Sequence, residues 1–217
     1  MGTESWGVCL TGGNAPELAS VESLLERRGM CVAADSGLEL ADEYGVIPDL
    51  VVGDMDSLVR TELLENVDPD RISVSPEDKD ESDSEIGIRA LRDHGYDRIA
   101  LIGGGGGRLD HLVAILSMFD RALRPKIWAS ETSFVLSLDD TVEIRGRAGS
   151  KISFFPVGGG PWRMQSIGLQ WSLDSLEWQR GDVGVSNRIV ESFMQVSMKR
   201  GRLIMIGDIE LLPGALG

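Results

Sequence analysis

Three short stretches of the chain carry residue types suited to cation and phosphate chemistry. They are GDMDS (53–57), EDKDESDSE (77–85) and GGGGGRLDH (103–111). Carboxylate oxygens are the ligands that hard cations such as Mg²⁺ take in proteins. Backbone N–H groups of a glycine-rich loop and the planar guanidinium of an arginine hold phosphate oxygens. Together the stretches predict metal-dependent phosphoryl-type transfer or hydrolysis.

Each stretch alone also has a simpler interpretation. Asp54 and Asp56 are compatible with an acidic turn, and 77–85 is compatible with a solvated charged loop. The glycines at 103–107 match neither a P-loop nor a dinucleotide-binding fingerprint, since Arg108 and Leu109 follow them. A single histidine beside an aspartate is weak support for a general base. The combination favours a site more strongly than any one stretch does.

The elements around these stretches predict how they come together. In the first half, apolar runs alternate with helix-like segments, and all three stretches follow the end of a predicted strand. Ser82 followed by Glu85 is a capping box that predicts a helix start. Because parallel strands end at one edge of their sheet, the three loops are expected to share one cleft. We predict a mostly parallel, Rossmann-like α/β sheet with helices on both faces.

The second half has a different spacing of apolar segments. From about Trp128, short alternating segments follow one another closely, separated by Gly, Pro and Asp. They include SFVLSL, TVEIRG, KISFFPV, GLQWSL and RLIMIG. Such spacing is typical of an all-β sandwich or barrel. We therefore predict two domains, residues 1–128 and residues 129–217.

Composition narrows the range of partners. The net charge is −14, and residues 1–128 hold 25 acidic against 12 basic residues. Such acidity argues against nucleic-acid binding, which depends on Lys and Arg facing phosphates. No stretch has the pattern of a membrane span or a secretory signal, so we predict no membrane association. Cys9 and Cys31 lie in separate apolar runs, which favours buried thiols and a cytoplasmic setting.

Six motifs together resemble the thiamine pyrophosphokinase family. Four occur in the first half with the family's order and spacing: DSG (35–37), PDLVVGDMDS (48–57), DKDESDSE (78–85) and GGRLDH (106–111). SIGLQWSL (166–173) and VSN (185–187) match two further family stretches. The resemblance implies an α/β catalytic domain, a β-sandwich that binds thiamine and mediates dimerisation, and a homodimer with active sites between subunits. It also implies the Mg²⁺-dependent reaction of ATP with thiamine to give thiamine diphosphate and AMP.

The resemblance also implies a role for each matching residue. Asp54, Asp56 and Asp83 resemble the magnesium ligands, and with Arg108 and Asp110 they form the expected catalytic set. Asp35 resembles the acid at the second strand end, near the same metal centre. The expected cofactor-binding residues, for the cation and ATP, are Asp35, Lys79, Ser82, Gly106, Gly107, Arg108 and His111. The expected thiamine-binding residues are Ser166, Gly168, Trp171, Ser186 and Asn187, with the Trp171 ring under the thiamine pyrimidine.

Three departures from the family pattern accompany the match. LVAIL follows His111 in a segment where many relatives carry an asparagine. Ser82 occupies a position where threonine is usual, and the position of Trp171 is often occupied by another aromatic residue in relatives. None removes a carboxylate of the expected metal site. Two other functions stay open: a diphosphokinase that acts on another hydroxymethyl heterocycle, such as a pterin, and a thiamine or nucleotide sensor without turnover.

Overall fold

The computed structural model describes residues 5–76, 80–146 and 148–216. The chain forms two compact units, one of Met1–Met118 with Leu123–Glu131 and one of Phe119–Ala122 with Thr132–Gly217. The division of roles between residues 1–128 and residues 129–217 remains a prediction. Among the described residues, no helix is long and apolar enough to cross a membrane.

The first unit is built on parallel strands. They are β1 (Trp6–Thr11), β2 (Arg28–Ala34), β3 (Leu50–Gly53), β4 (Ile72–Val74), β5 (Ile99–Ile102) and β6 (Ile127–Ala129). They lie in the order β6-β5-β1-β2-β3-β4, and every pair is parallel. All residues of β1, β5 and β6 are buried, as the uninterrupted apolar runs of a covered parallel sheet require. The predicted mixed α/β architecture is confirmed, and β6 is a strand that the sequence pattern missed.

The strand order places a crevice at β1. From β1 the chain builds β2, β3 and β4 on one side, and then returns to add β5 and β6 on the other. Open parallel sheets bind ligands at such a reversal, beyond the carboxyl ends of the strands. The segments that follow β1 and β5, residues 12–14 and 103–107, therefore line the natural ligand position.

Four helices accompany this sheet: α1 (Leu18–Glu26), α2 (Gly37–Glu43), α3 (Asp83–Asp93) and α4 (Leu109–Met118). The predicted capping box of α3 is confirmed, with Ser82 as the N-cap residue and Glu85 bonded back to it. The segment between β3 and β4 differs from the α-helix that we predicted. It forms two 3₁₀ helices, Thr61–Asn66 and Pro69–Arg71, because Pro69 lacks the N–H that a continuing α-helix needs.

The second unit consists of antiparallel strands and a short helix. Its strands are β7 (Ser133–Leu138), β8 (Thr141–Arg145), β9 (Lys151–Val157), β10 (Arg163–Ile167), β11 (Gly184–Arg188), β12 (Phe193–Arg200) and β13 (Arg202–Asp208). They pair as β11-β9-β13-β7 and, in a separate sheet, as β10-β12-β8. After a 3₁₀ turn at Ile209–Leu211, helix α5 (Leu212–Ala215) packs on β8.

One segment predicted as a strand is a loop. GLQWSL (168–173) forms only an isolated bridge, between Leu169 and Ile189. Gly168 has a φ of +76°, which interrupts an extended strand. The strands predicted at SFVLSL, TVEIRG, KISFFPV and RLIMIG are present, whereas β10 was not predicted. Cys9 and Cys31 are buried free thiols as expected.

Candidate active site

A cavity of about 440 Å³ opens in the first unit where the strands end. Segments that follow β1, β2, β3 and β5 contribute to it, as do the first residues of α3 and one face of α4. Its lining includes Asn14, Asp35, Ser57, Ser82, Asp83, Arg108, His111 and the glycines 12, 13 and 104–107. The convergence of strand-end loops that the sequence predicted is therefore observed.

Three carboxylates meet beside this cavity. Asp35 follows β2, Asp54 follows β3, and Asp83 is the first residue of α3. One oxygen atom of each carboxylate lies within 4.8 Å of an oxygen atom of the other two. Asp83 also benefits from the positive end of the α3 dipole, which stabilises a carboxylate at that position. Three oxygen donors at this spacing match the donor set of a hard divalent cation.

Gly53 makes room for the cluster. A Cβ atom at this position would lie 3.0 Å from Asp83 Oδ1 and 3.2 Å from the Asp35 Cβ atom. Its φ of +133° is also a conformation that residues with side chains rarely adopt. The glycine that precedes Asp54 is thus required by both the backbone and the space around the carboxylates.

Met55 orients the loop that follows. Its φ of +64° is unusual for a residue with a side chain, and such conformations tend to occur at functional sites. The Met55 side chain packs against a buried cluster formed by Ala33, Leu38, Val51, Leu58 and Leu63. The thioether therefore points into the protein and anchors the turn between the two aspartates.

Asp35 is the most buried member of the cluster, at 7% exposed. Burial raises the pKa of its carboxyl group, a hydrogen bond from the Ser57 hydroxyl opposes this rise, and the charges of Asp83, Asp56 and Asp54 add to it. Within the described residues, Asp35 Oδ1 has no hydrogen-bond partner. A buried carboxylate oxygen without a partner is costly unless a cation satisfies it. This oxygen supports a cation at the cluster.

Asp56 lies outside the group of three that we had expected it to share with Asp54 and Asp83. Asp35, which we had expected near the same centre, takes its place in the group. The left-handed turn at Met55 leaves Asp56 exposed, with its backbone N–H donating to Asp54 Oδ1 over 3.2 Å. Its charge still acts on Asp35, so Asp56 remains near the site. Its role as a metal ligand stays a prediction.

Glu39 of α2 fixes the far end of the same loop. Its Oε1 atom accepts hydrogen bonds from the backbone N–H groups of Val59 and Arg60, both over 2.7 Å. Arg60 in turn pairs with Asp42, also on α2. The loop that carries Asp54 and Asp56 is thus attached to a helix as well as to β3. Sequence reasoning missed Glu39, because its partners are backbone groups that no motif marks.

The N-terminus of α3 is attached at two points. The Ser82 hydroxyl and N–H both donate to Glu85 Oε2, over 2.9 Å and 3.0 Å, so Ser82 acts as a helix cap as well as a cavity residue. The hydroxyl groups of Ser84 and Thr11, both buried, lie 3.0 Å apart. These bonds fix Asp83 relative to the end of β1.

The glycine loop packs against the segment that follows β1. Asn14 and Gly105 exchange backbone hydrogen bonds of 2.7 and 2.9 Å, and a Cβ atom at Gly106 would lie 2.6 Å from the Asn14 side chain. Gly106 and Gly107 both have a φ of +67°, which glycine adopts readily. Gly12, Gly13 and Asn14 were not assigned to the site from the sequence. Gly12 and Gly13 follow the end of β1, and the same kind of signal, glycines at the end of a strand, had identified residues 103–107.

Arg108 and Asp110 form a two-bonded ion pair. Arg108 Nη2 and Nε donate to Asp110 over 2.6 and 3.1 Å, and both side chains are exposed. The hydrogen bond from Arg108 is the main cause that lowers the pKa of Asp110, so this carboxylate is a weak proton acceptor. Arg108 and His111 line the cavity, whereas Asp110 orients Arg108 from outside it. Lys79, the remaining expected nucleotide contact, lies outside the described residues.

The expected thiamine residues all belong to the second unit. Trp171 is 55% exposed, while Asn187 is only 5% exposed. The Ser166 hydroxyl bonds within its own loop, Gly168 would place a Cβ atom 2.2 Å from the Phe193 carbonyl oxygen, and Ser186 has a φ of +60°. Of the five, Trp171 presents the largest accessible surface. The others have clear structural roles in the loop and the adjoining strand.

Comparison with known families assigns both halves of the chain. Residues 21–129 match the model of the thiamin pyrophosphokinase catalytic domain, and residues 140–203 match the model of the thiamin pyrophosphokinase vitamin B1 binding domain. The first match falls almost entirely within the first unit, and the second falls within the second unit.

Individual relatives agree with the family models. The thiamine pyrophosphokinase of Bacillus subtilis (strain 168) is 22% identical over 205 residues, which cover 91% of this chain and 95% of the relative. The crystal structure of thiamine pyrophosphokinase from Bacillus subtilis is 19% identical and superposes with a TM-score of 0.76, covering 93% of this chain and 98% of the other. The structure of thiamin pyrophosphokinase from Geobacillus thermodenitrificans is 26% identical with a TM-score of 0.72, covering 93% and 97% of the two chains.

Proposed function

Because this chain belongs to the thiamin pyrophosphokinase family and is an enzyme of the thiamine diphosphokinase type, we propose that it transfers the diphosphoryl group of ATP to the hydroxyl group of thiamine, releasing AMP. The observation that carries this proposal is the group of three carboxylates beside a cavity that a glycine loop and Arg108 also line, in the unit matched by the catalytic-domain model. A cation and a polyphosphate need these groups side by side.

We assign Asp35, Asp54 and Asp83 as the residues that hold Mg²⁺, with Asp56 available beside them. The buried Asp35 oxygen without a protein partner supports this assignment. When bound, the cation supplies positive charge against the negative charge that develops on the transferring group. The Ser57 hydroxyl donates to Asp35 and the capped N-terminus of α3 carries Asp83, so both carboxylates are held in position at the cluster.

The polyphosphate chain of ATP is assigned to the glycine loop. Residues 104–107 line the cavity without side chains to obstruct an anion. The N–H groups of Gly104 and Gly105 already donate to the carbonyl oxygens of Gly12 and Asn14, so the N–H groups of Gly106 and Gly107 are the ones assigned to the phosphates. Arg108 provides a planar fork of donors, and Asp110 holds that fork in place. The transfer itself then depends on holding the thiamine hydroxyl in line with the β-phosphorus. Lys79 is proposed as a further phosphate contact.

Thiamine is assigned to Trp171 in the second unit, which we interpret as a β-sandwich. An exposed indole face attracts a cationic heterocycle through cation–π and stacking interactions. We further propose a cytoplasmic homodimer with its active sites between subunits. Val183 and Val185, which are 61% and 59% exposed, support an assembly, because apolar surface of this kind is usually covered.

Chromatographic identification of the products tests this proposal. With ATP, thiamine and Mg²⁺, the expected products are AMP and thiamine diphosphate. Asp54→Asn and Asp83→Asn are expected to reduce turnover by at least about a hundredfold, since each removes a charge that faces the transition state. Full turnover by both variants would refute the metal assignment.

Two alternatives lead to different outcomes in the same assay. A panel of acceptors that includes a hydroxymethyl pterin distinguishes a thiamine enzyme from one acting on another heterocycle, and Trp171 with the matched vitamin B1 binding domain favours thiamine. A sensor would bind thiamine or ATP without forming AMP. The intact set of Asp35, Asp54 and Asp83 favours an enzyme over a sensor.

A further inference from the structure

The loop between β10 and β11 presents Trp171 at the surface of the second unit. Trp171 is the exception among the tryptophans, since the other four are all at most 7% exposed. An aromatic side chain on an irregular loop binds a ligand well only if the loop already holds it in place, because a disordered loop must first lose conformational entropy. The hydrogen bonds of this loop therefore bear on substrate affinity.

Asp174 accepts hydrogen bonds from polar groups on one side of the loop. Its Oδ1 atom accepts hydrogen bonds from the Ser166 N–H, the Ser166 hydroxyl and the Ser172 hydroxyl, over 2.8, 2.9 and 2.8 Å. The Ser166 hydroxyl also accepts from the Leu173 N–H over 2.9 Å. These bonds, led by that from Ser172, lower the pKa of Asp174, so its carboxylate is the acceptor at neutral pH. Residues 166 and 172–174 are thereby joined around Trp171.

Asn187 holds the other side of the loop. Its amide Nδ2 donates to the Trp171 carbonyl oxygen over 2.7 Å, and its Oδ1 atom accepts from the Trp171 N–H over 3.2 Å. The same oxygen accepts from the Arg188 N–H over 2.8 Å. Asn187 is 95% buried, and both atoms of its amide group are hydrogen-bonded to protein backbone. Asn187 thus acts on Trp171 itself, although the sequence had suggested contact with thiamine.

We propose that Asp174 is a positioning residue for thiamine binding, acting through Ser166 and Ser172 to hold the Trp171 loop, with Asn187 holding the same loop from β11. This inference rests on the proposed function, in which Trp171 contacts thiamine. Asp174 determines how often the free enzyme presents Trp171 in its binding position. It does not touch the reacting atoms.

The test compares Asp174→Ala and Asp174→Asn with Glu177→Ala, an exposed acid in the same segment. If the alanine variant presents the loop correctly about a tenth of the time, the KM for thiamine rises about tenfold, while kcat and the KM for ATP stay within about twofold. Asp174→Asn keeps the accepting Oδ1 atom, so its thiamine KM is expected within about threefold of the wild type. Glu177→Ala is expected to leave all three parameters unchanged.

Hydrogen exchange of the ligand-free protein provides a second readout. In Asp174→Ala, the Ser166 N–H loses its acceptor, and the Leu173 N–H donates to a Ser166 hydroxyl that Asp174 no longer holds. Peptides covering 166–174 are therefore expected to exchange faster than in the wild type. A purely structural defect would lower the melting temperature and the fraction of active enzyme, and would not raise the thiamine KM selectively. If Asp174→Ala does not fold, Ser172→Ala removes one of the bonds and is expected to raise the thiamine KM about threefold.

The outcomes separate this inference from the proposed function. Absence of thiamine turnover by the wild-type enzyme refutes both. If the wild type uses thiamine and Trp171→Ala raises its KM, while Asp174→Ala leaves the KM unchanged, the inference is wrong and the proposed function survives. Equal KM increases in Asp174→Asn and Asp174→Ala would also overturn it, since they would indicate a role for the charge alone.

Discussion

Replacing Asp35 with asparagine is expected to stabilise the metal-free protein while impairing metal binding. Oxygen atoms of Asp35, Asp54 and Asp83 lie within 4.8 Å of one another. Two unit charges at this separation repel by about 3.5 kcal/mol at an effective dielectric constant of about 20, and by about 0.9 kcal/mol in water. Asp35 is buried, but Asp54 and Asp83 are partly exposed, so we take the lower value as the minimum. Removing one charge relieves two such repulsions. We expect a gain of about 2 kcal/mol in the free energy of unfolding.

The pH dependence has a defined sign. The raised pKa of Asp35 means that the folded state binds this proton more tightly than the unfolded state. Its contribution to stability is therefore complete below the ordinary carboxyl pKa of 3.8 and is lost as the pH rises through the folded-state value. The advantage of Asp35→Asn over the wild type should grow across that window and stay constant at neutral pH.

Thermal unfolding in EDTA at neutral pH measures the effect. A gain of about 2 kcal/mol corresponds to a melting temperature about 4–8 °C higher for a chain of this length. Adding Mg²⁺ should raise the melting temperature of the wild type and have much less effect on Asp35→Asn, because binding to the folded state stabilises it. Glu22→Gln, which removes an exposed charge on α1, is the control. A lower melting temperature for Asp35→Asn in EDTA, or an equal response to Mg²⁺, would refute the reasoning.

Substitutions at four other residues address the same site. Gly53→Ala should cost about 1–3 kcal/mol of stability in denaturant titrations and weaken the Mg²⁺ response, since its Cβ atom would lie 3.0 Å from Asp83 Oδ1 on a left-handed backbone. Glu39→Ala should raise the Mg²⁺ concentration for half-maximal activity severalfold, whereas Glu39→Gln, which keeps the accepting Oε1 atom, should leave it nearly unchanged. Arg108→Lys should raise the KM for ATP about tenfold in steady-state assays without changing the KM for thiamine, and Asp110→Asn should have a smaller effect in the same direction.

Local signals in the sequence were sufficient for much of the first unit. The apolar runs of β1, β2, β3 and β5 predicted strands, and Ser82 with Glu85 predicted the start of α3, because these features depend on neighbouring residues only. The position of the ligand cavity at β1 depends on strand order, which no local pattern encodes. The position of the cavity could be explained only from the observed pairing of β5 with β1.

Contacts between distant residues account for what the sequence did not predict. The position of Asp56 outside the group of Asp35, Asp54 and Asp83 follows from the left-handed turn at Met55. Glu39 and Asp174 act on backbone N–H groups, so their roles follow from the folded chain and from no motif. The GLQWSL stretch alternates like a strand, yet side-chain bonds to the backbone hold it as a loop.

The fate of the β-phosphate of ATP tests the central claim most directly. The enzyme is incubated with Mg²⁺, thiamine and ATP labelled at the β-phosphorus, and the products are separated. Diphosphoryl transfer predicts that the label appears in thiamine diphosphate and that the released nucleotide is unlabelled AMP. Recovery of the label in ADP would contradict the account, because it would mean that only the γ-phosphoryl group had moved.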